Sequence, residues 1–207
     1  MFDCGSLPNG YSLRLMLIRH GEPEQRAKGT CYGRLDIGLS DMGRTQIRAK
    51  MGLIGNLSAV ALYTSPLKRA AETAAIAGAS LGLQPIIRHE LQEINFGRLE
   101  GLTYSEIEKL YPEEFRLWME HPTEIKFPGG ESFAEVKARV LSFKEFLFNT
   151  HDRQTVILVS HASTNRIMLA DTMGILDPLI FRIDQAYAAV NIIDYLQGAS
   201  IVRLVNG

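Results

Sequence analysis

Arg19-His20-Gly21-Glu22 brings together a guanidinium and an imidazole directly after the apolar run Leu15-Met16-Leu17-Ile18. A run that short, closed by a glycine, reads as a buried strand rather than a helix. The strand therefore delivers a cation and an imidazole to its C-terminal end, the edge at which open α/β sheets bind ligands. Such a pair suits phosphate chemistry. An imidazole can attack phosphorus while a guanidinium forks onto the phosphoryl oxygens.

Three further segments can meet the first at one sheet edge. Ser65-Pro66-Leu67-Lys68-Arg69-Ala70 opens a helix and supplies a second guanidinium, Arg69. Leu91-Gln92-Glu93-Ile94-Asn95-Phe96-Gly97 supplies a carboxylate, Glu93, with Glu90 and Glu100 as its competitors. Val159-Ser160-His161 ends a second strand with a second histidine. Nucleophile, cations, acid and a further donor make a phosphoryl-transfer set that needs no metal, and no carboxylate or cysteine lies at ligand spacing beside His20 or His161. No cofactor is implied. His89, His121 and His151 stand in polar surroundings, match no motif and read as surface residues.

The elements that must position these groups alternate. Strands are expected at 15–18, 59–63, 85–88 and 155–159, with helices near 44–54, 64–81, 131–148 and 164–173. The tail from Ala186 to Val205 splits at Gln197-Gly198 into a hairpin. This order predicts a three-layer α/β/α sandwich, a mostly parallel sheet with helices on both faces. Residues 1–12 read as a flexible leader and 13–207 as one catalytic domain, with 91–130 a small helical lid insertion (short helices near 104–110 and 112–121). Phe115, Trp118 and Phe127 in the insertion are expected to form its own small core; lining a mouth over the site is the alternative.

A chain of 207 residues, 46% hydrophobic and 22% charged, is long enough for one sizeable core. Its net charge of −1 gives no electrostatic case for nucleic acid or an anionic membrane. Cys4 and Cys31 are too few for a disulfide framework or a thiolate metal site. No apolar stretch reaches the length of a membrane span, so the cytoplasm is the default location, and a monomer or homodimer is expected.

The ordered motifs resemble the histidine phosphatase superfamily, in its phosphoglycerate mutase-like branch. They are Arg19-His20-Gly21-Glu22, Leu39-Ser40 with Gly43 and Gln46, Thr64-Ser65-Pro66-Leu67 with Arg69-Ala70 and Thr73-Ala74, and Glu93 with Phe96-Gly97 and Glu100-Gly101. Pro128-Gly129-Gly130-Glu131-Ser132 and Val159-Ser160-His161 complete the set. The resemblance implies that His20 accepts the phosphoryl group, that Arg19, Arg69 and His161 hold its oxygens, and that Glu93 protonates the leaving oxygen and later activates water. An imidazole titrates at about 6.5 and a glutamate at about 4.3, so acid work near neutrality asks for burial or a bound dianion around Glu93.

Departures from the family pattern matter too. Arg26 stands where many relatives have asparagine: turned inward it adds a cation, turned outward it costs a hydrogen bond. Tyr32 and Gly33 share its loop and are expected to help close the pocket, and Ala162 replaces a family glycine while keeping its N–H. True mutases carry basic residues where this chain has Ile94-Asn95, so water is the expected acceptor. The insertion is similar to that of α-ribazole phosphatases and broad-specificity phosphatases, which points to a small phosphorylated metabolite. A mutase, a non-catalytic phospholigand scaffold and a phosphoprotein phosphatase are the other readings.

Overall fold

The computed structural model describes residues 10–54 and 58–207. Six strands form one sheet: β1 (Tyr11–Arg19), β2 (Ala59–Thr64), β3 (Pro85–Ile87), β4 (Gln154–Ser160), β5 (Val190–Leu196) and β6 (Ala199–Leu204), in the order β3-β2-β4-β1-β5-β6. The first four in that order run parallel, and β5 and β6 add the expected hairpin antiparallel to β1. Most of the proposed leader, residues 1–9, lies outside the described residues; Tyr11 and Ser12, assigned to it from sequence, belong to β1.

Helices cover both faces. Met16 and Ile18 of β1 pack with Ile47 and Met51 of α1 (Asp41–Ile54) and the alanines of α2 (Lys68–Leu81). Leu15 and Leu17 pack toward Val140 and Phe143 of α5 (Phe133–Thr150) and Met168 of α6 (Ala162–Met173). Strands buried on both faces explain the unbroken apolar runs that mark them in the sequence. The capping box of Ser132 and Glu135 starts α5, and loss of such a cap costs about 1 kcal/mol. Among the described residues no helix is long and apolar enough to cross a membrane.

Several local readings change, and helix α1 begins at Asp41 rather than near 44. Helix α2 begins at Lys68, not at Ser65-Pro66, because its first N–H groups go to the preceding loop: Lys68 donates to Asp36 and Arg69 to the Ile37 carbonyl. Helix α6 begins at Ala162, two residues early, which makes His161 its N-cap. His151 is buried, not on the surface: it follows α5, where it bonds the Tyr63 hydroxyl (2.9 Å) and Gln154 (2.8 Å) and so ties the helix to β2 and β4. The insertion contains α3 (Tyr104–Leu110) and α4 (Pro112–Glu120).

Candidate active site

Strand register builds the centre. Arg19 on β1 pairs with Ser160 on β4, so the next residue of each strand, His20 and His161, stands beside the other. Their ring centroids are 5.1 Å apart and both side chains are buried. His20 Nδ1 lies 2.8 Å from the Gly21 carbonyl, while Arg69 Nε donates to His20 Nε2 at 3.3 Å. A ring that accepts at Nε2 must carry its proton on Nδ1, so the geometry fixes the tautomer with its lone pair on Nε2. Burial, then the charges of Arg69 and Arg19, hold this imidazole well below its ordinary pKa, and it is neutral at pH 7.

Arg69 is fully buried. The 33–37 loop wraps it: its guanidinium donates to the carbonyls of Gly33 and Leu35, and the Tyr32 ring lies 4.9 Å away. Gly33 is required here, because a Cβ would sit 2.6 Å from the Phe96 ring and 2.7 Å from the Ile94 carbonyl. Arg19 donates to the Gln185 carbonyl and stacks on the Tyr187 ring at 4.2 Å. Tyr187 in turn meets the Tyr32 hydroxyl at 3.2 Å, closing a ring of contacts around the two arginines.

His161 Nε2 lies 2.8 Å from Ser65 Oγ, and that oxygen also accepts from the Leu67 N–H. Its Nδ1 is buried without a partner among the described residues, as is Arg19 Nε. Buried polar atoms are rarely left unpaired, so both point to a ligand that supplies acceptors. Ala162 follows as the first residue of α6, where N–H groups lack intrahelical partners and the helix dipole favours an anion.

Glu93 is half-buried and accepts from its neighbour Ile94 N–H at 2.9 Å, with Ser163 N–H at 3.5 Å from its second oxygen. Its backbone is clamped. Arg139 on α5 donates to the carbonyls of Glu90, Gln92 and Glu93, and Arg34 donates to that of Glu93. Glu131 pairs with both arginines and accepts from Asn95 N–H. Burial alone would raise Glu131, but Arg139 and its other partners outweigh it and hold the carboxyl below its usual range. Gly97 adopts φ +56°, and a Cβ there would lie 2.3 Å from the Pro128 carbonyl, so the segment carrying Glu93 packs backbone to backbone on Pro128-Gly129-Gly130.

The structure thus brings together Arg19, His20, Arg69, Glu93 and His161, with Tyr32, Gly33 and Ala162 around them. Arg26 is not brought in: it is exposed and pairs with Glu24 (2.7 Å) and the Asp36 carbonyl (3.1 Å). Beyond Glu93 lies a cavity of about 180 Å³ lined by Trp118, Phe127, Phe96 and Tyr104 among others. Trp118 and Phe127 line it and pack on each other at 5.2 Å, so both roles considered for them apply; Phe115 only packs against the core. Cys31 also lines this cavity; burial, then Glu100 and Glu93, push its thiol up, so it stays protonated. Among the described residues no cluster of three His, Cys, Asp or Glu is placed to hold a metal. Ser65, Gln185, Tyr187, Arg34 and Arg139 are the contributors that sequence reasoning did not assign.

Comparison with known proteins agrees with the motif order. The profile of the histidine phosphatase superfamily (branch 1) matches residues 15–207, and the chain belongs to that superfamily. A bifunctional protein of Mycobacterium tuberculosis is 35% identical over 199 residues, covering 95% of this chain but 54% of the relative. The chain therefore spans about half the length of that relative. Phosphoserine phosphatase 1 of Hydrogenobacter thermophilus is 36% identical over 163 residues, 79% of this chain and 77% of the relative. The crystal structure of the α-ribazole phosphatase from Shigella flexneri superimposes with a TM-score of 0.85 at 25% identity, covering 94% of this chain and 96% of that one.

Proposed function

We propose that the protein is a metal-independent phosphomonoester hydrolase that works on a small phosphorylated metabolite through a phosphohistidine. The observation that carries this is the state of His20: a buried, neutral imidazole with Nδ1 tied to a carbonyl and Nε2 turned toward Arg69, beside His161. Nε2 attacks phosphorus and the ester P–O bond breaks. Arg19, Arg69, His161 and the Ala162 N–H take the charge spread over the equatorial oxygens. For His161 to donate, its proton must sit on Nδ1, and the Ser65 hydroxyl supports this by giving its own proton to Nε2. Glu93 gives a proton to the departing alkoxide, then takes one from the water that attacks the phosphohistidine. Phosphate leaves and His20 returns to its neutral form.

Water as acceptor is supported by Ile94-Asn95, where a mutase would present cations. Two substrates mark the poles of the choice. α-Ribazole phosphate fits the aromatic lining and the likeness to the Shigella enzyme; phosphoserine fits the Hydrogenobacter relative.

The test is phosphate release in the presence of chelator from p-nitrophenyl phosphate, α-ribazole phosphate, phosphoserine and 3-phosphoglycerate, with rapid acid-free quenching to trap labelled enzyme. The expected result is chelator-resistant turnover, with an alkali-stable, acid-labile label on His20. Binding of phosphate without release from any ester would overturn the hydrolase in favour of a phospholigand scaffold.

A further inference from the structure

Glu93 divides the site. It stands with His20, Arg19, Arg69 and His161 and also lines the aromatic cavity, so this cavity is the adjoining space for the group leaving phosphorus. The cavity wall carries one cation, Arg166. Arg166 lies one helical turn beyond Ala162 and Ser163, so all three share a face of α6. The Ser163 N–H reaches toward Glu93, and the Arg166 backbone lies roughly 5 Å further along α6, the rise of one turn.

The Arg166 side chain is held but not neutralised. Its Nε donates to the Ile183 carbonyl at 2.8 Å, and its guanidinium carbon lies 5.6 Å from the Phe181 ring centre. Its two terminal nitrogens make no hydrogen bond, and it joins no ion pair, among the described residues. Glu93 and Asp184 attract it only from beyond ion-pair distance. A half-buried guanidinium with no counter-ion in contact is costly, and the cost is met if its counter-ion comes with the ligand. A planar fork with two unused N–H donors matches a carboxylate.

We infer that Arg166 binds a carboxylate on the leaving group, so that preferred substrates are phosphomonoesters of apolar or aromatic alcohols bearing a negative charge a few bonds from the ester oxygen. This rests on the phosphatase reading above. It moves the choice of substrate away from α-ribazole phosphate, whose alcohol carries no carboxylate.

The test compares phenyl phosphate with 4-carboxyphenyl phosphate in the wild type, Arg166→Met and Arg166→Lys. The quantity read is the ratio of kcat/KM for the two esters within each protein, so the reactivity of the two phenols and any loss of active protein cancel between variants. Arg166→Met is expected to reduce the relative preference for the carboxylated ester about 10- to 100-fold, chiefly through KM, the range for hydrogen bonds to a charged group. Arg166→Lys is expected to restore part of it. The same ratio is read as Kd for benzylphosphonate and 4-carboxybenzylphosphonate, which requires no turnover. A ratio that Arg166→Met leaves unchanged in both assays overturns the inference. A wild type that hydrolyses neither ester overturns the phosphatase reading alone, and the binding ratio then decides on Arg166.

Discussion

His20 and His161 stand side by side at the ends of adjacent parallel strands, equally buried and both held below the ordinary imidazole pKa. They differ in what each nitrogen meets. His20 is tied by Nδ1 to the backbone and turns Nε2 to the site; His161 is tied by Nε2 to a hydroxyl and leaves Nδ1 without a protein partner. One ring therefore offers a lone pair and the other, in the proposed mechanism, a proton. Residue type and burial do not separate a nucleophile from a donor. The second hydrogen bond does.

The contrast can be broken one partner at a time. His20→Ala is expected to reduce turnover by at least about 10,000-fold and to abolish the acid-labile label, as loss of a nucleophile does; a label that persisted would mean the roles are exchanged. Glu93→Gln should cost about 100- to 10,000-fold with alkyl esters and far less with p-nitrophenyl phosphate, whose leaving group needs no proton. Equal losses on both would remove Glu93 from the acid role. His161→Ala should cost about 100- to 1,000-fold while the label still forms, the loss of a donor rather than of the attacking atom. Ser65→Ala, which releases His161 Nε2 and the Leu67 N–H, should cost about tenfold or less in kcat. A larger loss than His161→Ala would show Ser65 acting on its own.

The shared low pKa of the pair has a pH consequence of fixed sign. Free imidazoles in the unfolded chain take up protons below about pH 6.5, while the two buried rings do not. The unfolded state then binds more protons, so stability falls on acidification below about pH 6.5 and is level above it. Thermal melts between about pH 8 and pH 5 should show Tm declining only on the acid side, and less steeply in His20→Gln. A Tm that rose on acidification would contradict the burial of neutral rings.

How much of this could be read beforehand follows from where each contact comes from. His20 and His161 were legible because an apolar run ending in a histidine is a local pattern, and Arg69 and Glu93 because they sit in ordered motifs. The sandwich was legible from the alternation of strands and helices. Arg26 misled as a spare cation because nothing in sequence shows that Glu24 and Asp36 would hold it outside. Arg139 and Arg34 went unassigned because they hold Glu93 by its backbone carbonyl, which leaves no trace in residue type. Ser65 and Tyr187 reach the site from remote segments through the sheet's crossing order. The start of α2 was misplaced for the same reason: its first donors are satisfied by a loop some thirty residues upstream.

The grip of the Gln185 carbonyl on Arg19 joins residues 166 positions apart, just before the chain enters β5. As the protein emerges from the ribosome, the surroundings of His20 stay unfinished until that stretch has been made and has docked. A nascent chain halted before Gln185 would hold both histidines and lack the support that aims one arginine. The proposed activity should therefore switch on only once that stretch is made, close to the completion of the sheet.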